Sequence, residues 1–555
     1  MKNLFLTLIF FIGIYNVNAQ NLQWVKHFGT SGTDVGHSIC TDTYGNIYVT
    51  GNFDSGSITL GSITLTSAGA TDIFIVKYNN DGVVQWAIQE GGSGCESGLT
   101  IYADNAGYLY VSGQYEETAT FGEGDTSITS RGSTDIFVAK YTSDGDFLWV
   151  RSAGAGSPYS VDRGCCIVTD DIGNIYLAGG FYSETSTDTC FFDINTYIIG
   201  NGNSDIFIAK YSSDGEVLWV KKAGGVDYDE ALSIGIDSVT NIYITGTFKC
   251  TAFFGDTSLI ATGNTNEDLF LAKYDSDGNF IWAQKAGGSD IDAGNGLFVD
   301  KNSDIYLTGY FGGTATFGDS IVSSMGSYDM FFAKYNSSGT MQWLKHYGSS
   351  GTGTNSSRAI VLDIFGNIYI TGLISGSVNF GTSTLTSVGW QDMFVAKFDS
   401  SANFEWAKSG GGAMFDRGNS LCADNSGNVF VTGWYDGTAS FDDSTFMSSG
   451  GGWDCFIVKY LQLGTSIKDY SSYENTFSVY PNPANDIIYI HSNTPVSQNV
   501  TINIMDSKGQ MIFSKKQTLS DGNDFQIYIS KYPKGMYIIN ITSVTGIYAK
   551  KIFIQ

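Results

Sequence analysis

Between residues 20 and 460 the chain alternates short apolar runs with clusters of Gly, Asn, Asp and Ser. This is the pattern of brief strands joined by tight turns, and no long amphipathic helix emerges from it. In the first complete example, Ser38-Ile39-Cys40-Thr41 reads as strand a and Asn46 to Thr50 as strand b. An excursion of about 20 residues follows, then Asp72 to Tyr78 as strand c, a turn at Asn80-Asp81-Gly82, and Val83 to Ile88 as strand d. Glycine in the Asp-Gly pair adopts positive φ without a steric penalty. The Asp42-x-x-Gly45 spacing predicts an Asx-type side-chain hydrogen bond that fixes the a-to-b turn.

The four-strand pattern repeats at about 63 residues, and four markers recur in the same order. They are a strand-d tryptophan (Trp24, Trp86, Trp149, Trp219, Trp282, Trp343, Trp406), a D-x-F-x-x-K-[YF] strand beginning at Asp72, Asp135, Asp205, Asp268, Asp329, Asp392 and Asp454, a strand b ending in glycine (Gly51, Gly113, Gly179, Gly246, Gly309, Gly372, Gly433), and an aspartate before that strand (Asp42, Asp104, Asp170, Asp237, Asp300, Asp363, Asp424). Radial repetition of such units makes a propeller, linear stacking a solenoid. The first marker, Trp24, lacks a preceding strand c, and the last strand c, Asp454 to Tyr460, lacks a following tryptophan. The two halves complete one unit, which predicts a seven-bladed β-propeller closed by the N-terminal strand. The segments "DTYGNIYVTG" and "DIFIVKYNNDGVVQW" resemble the SBBP-type β-propeller repeat, over about residues 22–460.

Residues 461–475 are a polar stretch that reads as a linker, and residues 476–555 return to alternating strands, a small Ig-like β-sandwich. Tyr480-Pro481-Asn482-Pro483, Asp506-x-x-Gly509, Lys534-Gly535-Met536-Tyr537 and Lys550-Lys551-Ile552 resemble the type A sorting domain of the type IX (Por) secretion system. That resemblance implies the type IX machinery as a partner, and passage through the periplasm of a Gram-negative bacterium to its outer surface or the medium. Residues 1–19, with Lys2, the apolar run Leu4 to Ile14 and Val17-Asn18-Ala19, have the zones of a signal peptide; after cleavage no transmembrane segment is expected.

Charge narrows the partners. The net charge is −26, and residues 20–460 hold 49 Asp and Glu against 20 Lys and Arg. A body this acidic repels phosphate backbones, so nucleic acid is not an expected partner. The eight cysteines hold no fixed place in the repeat, so no disulfide framework is read; most are expected as buried hydrophobes, with the adjacent Cys165-Cys166 a special case.

No nucleophile elbow, no H-E-x-x-H and no cysteine pair at zinc spacing is present. No catalytic residue, metal site or cofactor is therefore assigned. His27 and His346 occupy equivalent places and read as packing residues. Repeated aspartates build turns, so a polymer-hydrolysing reading, the alternative to a binding or adhesion scaffold, would need unrepeated carboxylates such as Glu96, Asp162, Asp229 or Asp416. The a-to-b and c-to-d turns should form a uniform face, and the b-to-c excursions with the d-to-a loops a variable one, where repeat proteins bind. Tyr328, Trp390, Trp434, Tyr435 and Trp453 are the ligand-binding candidates there, able to stack on a glycan or anchor a protein.

Overall fold

The computed structural model describes residues 21–54, 56–157, 159–183, 188–263, 266–442, 444–461, 477–492, 498–505, 511–520, 524–543 and 546–555. The signal segment 1–19 and almost all of the linker 461–475 lie outside them. The chain divides into two compact units, Gln20–Gln462 and a second that holds residues 463–555.

The larger unit is built from antiparallel strands, and its described residues contain seven four-stranded repeats. In repeat one the strands are Val35–Thr41, Ile47–Asp54, Thr71–Tyr78 and Val84–Gly92. The first strands of repeats two to seven are Ser97–Ala103, Arg163–Thr169, Asp229–Ile236, Ala293–Val299, Ser356–Leu362 and Asp416–Ala423. Repeat seven runs Asp416–Ala423, Val429–Asp436, Trp453–Leu461 and then Asn21–Phe28, with Trp24 opposite Lys459. The N-terminal strand thus supplies the outer strand of the last repeat.

Each a-to-b turn is held as the aspartate spacing requires. Asp170 Oδ1 accepts from the backbone N–H groups of Ile172 and Asn174, while Oδ2 accepts from Asn174 Nδ2 at 2.8 Å and the Tyr176 hydroxyl at 3.2 Å. In repeat one the lysine of the third strand and the strand-d tryptophan then reach into the next repeat. Lys77 Nζ and Trp86 Nε1 both donate to the Ser143 carbonyl, at 2.8 and 3.2 Å. Lys459 and Trp24 donate in the same way to the carbonyl of Asn80, which carries the stitching from repeat seven to repeat one. The turn glycine seats the neighbour's indole: a Cβ on Gly82, at φ 73°, would lie 2.9 Å from the Trp24 ring. Hydrophobic clusters accordingly span adjacent repeats, with Trp24 against Phe430, Ile457 and Val49 in one and Trp86 against Tyr48 and Phe137 in another.

First strands are stitched side by side too. The Ile101 amide donates to Ser38 Oγ, the Leu297 amide to Ser233 Oγ, and the Ile39 amide to Ser420 Oγ, the last joining repeats one and seven. Every first strand carries a β-bulge after its second or third residue, as between Gly36 and Ser38 and between Gly418 and Ser420. A bulge sets two residues against one and turns the extra side chain out of the normal alternation.

In the smaller unit, Phe477–Tyr480, Ile487–Ser492 and Phe525–Tyr528 form one sheet, and Met511–Leu519, Gln498–Met505, Gly535–Ser543 and Gly546–Ile554 a second. Period-two isoleucines fill the shared core: Ile488 and Ile490 from one sheet, Ile502, Ile504, Ile539, Ile541, Ile552 and Ile554 from the other. Asn482, from the Tyr480–Pro483 motif, clamps the terminal strand by donating to the Lys551 carbonyl at 2.7 Å and accepting from the Phe553 amide at 2.8 Å. The Asp506-x-x-Gly509 motif lies outside the described residues.

Candidate functional site

The aromatic candidates divide by burial. Trp390 is 67% exposed and meets Phe415 edge-on at 5.1 Å. Trp453, 37% exposed, stacks on Trp434 with centroids 4.0 Å apart and planes 11° apart. Trp434 is only 6% exposed, because the Arg417 guanidinium also covers it, 5.6 Å from its ring centre. Tyr328 packs edge-on against Tyr310 at 5.4 Å. Tyr435 has no exposed surface; its hydroxyl meets His27 Nδ1 at 3.0 Å and its ring sits among Phe441, Phe456 and Val431. It is a core residue. Adjacent residues of one strand face opposite ways, so Trp434 and Tyr435 do not share a surface. The structure therefore brings together Trp434 and Trp453, with Arg417 as a third layer, and leaves Trp390 as a separate exposed ring.

The two equivalent histidines pack. His27 lies 4.3 Å from the Phe446 ring and His346 5.5 Å from Phe311, with His346 Nδ1 also 3.2 Å from Asp329 Oδ2.

The carboxylates expected to be unrepeated are in fact repeated, which corrects the sequence reading. Glu96, Asp162, Asp229 and Asp416 occupy one structural position, shared with Asp34, Asp292 and Asn355, in the loop that enters each first strand. Asp229 Oδ2 accepts the Gly225 amide at 2.6 Å and Oδ1 the Lys249 amide at 3.2 Å; Asp292 and Asp416 do the same with Gly288 and Gly312 and with Gly412 and Asp436. These side chains are wholly buried and spent on loop backbone, so they are not placed to attack a polymer. Burial is the main force on them, and it pushes the carboxyls of Glu96, Asp162 and Asp416 up to about 7 and that of Asp229 up to about 8. The neighbouring D-x-F aspartate, Asp205 in the case of Asp229, raises it further.

Sequence reading missed the interior of the ring. The seven bulge residues, His37, Leu99, Cys165, Leu232, Asn295, Arg358 and Asn419, line one cavity of about 610 Å³. Arg163, Ser97, Glu230, Asn52 and Gln114 border it as well. Burial depresses the His37 imidazole to about 4, so it is neutral near pH 7. The only signal for this ring in the sequence is the unrepeated residue that follows the small residue of strand a, as in Gly36-His37 and Gly418-Asn419. Cys166, Cys190, Cys422 and Cys455 are buried, and Cys165 lines the cavity.

Comparison with known proteins gives the chain its class. Residues 478–555 match the model of the secretion system C-terminal sorting domain, and residues 23–55 match that of the β-propeller repeat. The chain is an all-β propeller-repeat protein with a type IX sorting tail, which implies interaction with the type IX secretion machinery and a secreted or cell-surface location. It is similar to an uncharacterized WD repeat-containing protein of Acanthamoeba polyphaga mimivirus, 25% identical over 421 residues that cover 60% of this chain and 29% of that one. It is also similar to regulatory protein FlaEY of Caulobacter vibrioides, 24% identical over 205 residues, 36% of this chain and 20% of that one. The chain thus spans less than a third of either relative. Among solved structures, the Neurospora crassa Pan2 WD40 domain is 8% identical with a TM-score of 0.35, covering 78% of this chain and 95% of its own. A protein of unknown function from Dyadobacter fermentans matches at 8% identity and a TM-score of 0.35, covering 79% and 98%. No helix among the described residues is long and apolar enough to cross a membrane.

Proposed function

We propose that this chain is an exported seven-bladed propeller, closed by its N-terminal strand, that works as a binding or adhesion scaffold outside the cell. The propeller spans residues 20–460, the linker 461–475, and an Ig-like sorting domain 476–555; residues 1–19 are removed on export. The observation that carries the binding reading is the pair of unrepeated aromatic features at the excursion side of repeats six and seven. These are the exposed Trp390 ring on Phe415 and the Trp453-Trp434-Arg417 stack. Flat apolar rings with open faces suit stacking on the apolar face of a sugar ring or anchoring a protein partner. The hydrolase alternative loses its candidate acids, since Glu96, Asp162, Asp229 and Asp416 are buried in loop hydrogen bonds.

The test is a glycan and protein array probed with the mature chain, residues 20–555, and repeated with Trp390→Ala and Trp453→Ala. Specific hits lost in either variant support the rim as the binding surface; hits unaffected by both move the ligand elsewhere. Deleting residues 476–555 in the native host is expected to hold the protein in the periplasm, and its arrival at the surface would remove the sorting tail from the proposal.

A further inference from the structure

We propose that the cavity bordered by the seven first strands is an oxyanion-binding site, in which Arg358 and Arg163, the two arginines of its lining, grip a carboxylate or sulfate group. The proposal does not depend on the rim's ligand, although Arg417, the neighbour of Arg358, also covers Trp434 of the aromatic stack.

The argument begins with which polar groups around the cavity already have partners. Asn295 Nδ2 donates to the Ser357 carbonyl at 2.9 Å, and Asn419 Nδ2 to the Gly36 carbonyl at 3.0 Å. His37 Nε2 meets Asn52 Oδ1 at 2.9 Å, and Ser38 and Ser420 accept backbone amides of the next strand. The bordering carboxylates are engaged too: Glu230 accepts from the Tyr228 hydroxyl and from Cys165 Sγ, and Glu96 from the Gly92 amide. These residues stitch the ring together.

The arginines are different. Among the described residues, the Nε atoms of both Arg358 and Arg417 are sealed from solvent and have no hydrogen-bond partner. None of the ion pairs among the described residues involves an arginine. The charged neighbour that Arg417 feels is Arg358 itself, a like charge, with the Tyr310 hydroxyl beside both. Burial and that repulsion pull the Arg417 guanidinium down to about 9, an unusual position for a group that normally never gives up its proton.

Two adjacent desolvated cations without a counter-charge are costly, and a bound anion removes the cost. Guanidinium presents its donors as a planar fork that matches a two-oxygen anion, which favours carboxylate or sulfate over a spherical halide. In a protein of net charge −26 such a pocket of cations is a local reversal of sign. The rest of the lining fits a ligand with a body: Leu99, Leu232, Leu297 and Ile360 border the same cavity, whose volume of about 610 Å³ is that of a small-molecule site.

Calorimetric titration of the mature chain, residues 20–555, tests this with three probes at low ionic strength and pH 7: sodium glucuronate, sodium sulfate and glucose. Saturable binding of at least one anion and none of glucose is expected. Glucuronate binding more tightly than sulfate assigns the oxyanion to an organic ligand; sulfate equal or tighter assigns it to an inorganic one. Arg358→Gln and Arg163→Gln should each weaken that binding at least tenfold, while Arg131→Gln, on an outer excursion, should not change it. Because removing a buried unpaired charge ought not to unfold the ring, thermal shift supplies a second reading: the anion raises the melting temperature of the wild type and not of Arg358→Gln. No saturable binding of either anion, or binding unchanged in both channel variants, overturns the proposal.

Discussion

On the turn side of repeat three the polar groups answer one another. Asp170, Asn174 and Tyr176 close a local network, and the lysine and tryptophan of the preceding repeat end on the next turn's carbonyl. In the bulge of the same first strand the pattern reverses. There the side chain varies between repeats, from Leu99 to Arg358, and the Nε donor of Arg358 is left unanswered, as is that of Arg417 beside it. The turn side repeats because the same aspartate turn is built in all seven repeats. The inside and the excursion rim vary because only some repeats need to carry a ligand.

The largest effect should come from breaking the pairing of Asn21–Phe28 with Trp453–Leu461. Deleting Asn21–Phe28 strips the strand paired to Trp453–Leu461, exposes a sheet edge and removes Trp24 from the junction of repeats seven and one. Cooperative thermal unfolding of the mature chain should be lost or shifted down by more than any single substitution achieves. A melt within a few degrees of wild type would show that the closure contributes nothing.

Next in size is Trp219→Ala, expected to cost about 3–5 kcal/mol by denaturant titration. Its Nε1 has no partner, whereas Trp86 Nε1 donates to the Ser143 carbonyl. Replacement by Phe sharpens the comparison. Trp86→Phe loses a hydrogen bond that Trp219→Phe never had, an added cost of about 1 kcal/mol. Equal costs would mean that the shared carbonyl is satisfied by lysine alone.

The four repeat markers were legible because each does one job in every copy: the aspartate before strand b for the turn, the strand-b glycine where the first strand's carbonyl passes too close for a Cβ, the D-x-F aspartate for the loop amide before it, and tryptophan for the seam. The fifth, the loop carboxylate, was hidden by chemistry and spacing. Glu96 and Asn355 stand where the other repeats have Asp, and the loop before Asp162 is longer, so Ala155 rather than the residue four before supplies the amide. The channel was illegible for a different reason. A bulge is a backbone event that strict alternation cannot foresee, and it turns His37 and Arg358 inward. Tyr435 was recoverable: its neighbour Trp434 already claimed the other face of the strand.

The carboxylates also give a pH test. Asp229 is pushed up to about 8 from an ordinary value of 3.8, first by burial, against the amides of Gly225 and Lys249 that favour its charged form, with Asp205 and Asp227 adding repulsion. The folded state therefore holds this proton more tightly than the unfolded chain does. Its stabilising contribution is complete below about pH 4 and is lost as pH rises through 8, by at most about 1.4 kcal/mol per pH unit. In Asp229→Asn the stability measured between pH 4 and 8 should fall less steeply than in the wild type. Asn355 occupies the same place in repeat six, accepting the Ser375 amide and donating to Ser349, so the substitution has a natural precedent. An unchanged slope would assign the pH dependence to other groups.

The smallest stability effect should be at Trp390, and its smallness is the point. Two thirds of its surface is open and its described ring contact is the edge of Phe415, so Trp390→Ala removes little buried area. Surface substitutions of this kind fall within about 0.5 kcal/mol of wild type. Trp434→Ala should cost several times more, because that ring is sealed between Arg417 and Trp453. Equal stability in Trp390→Ala, together with at least a tenfold loss of whatever the wild-type rim captures on an array, is the expected pair of results. Destabilisation beyond about 1 kcal/mol by chemical melt would instead make Trp390 a packing residue, and the variable rim would lose its most exposed anchor.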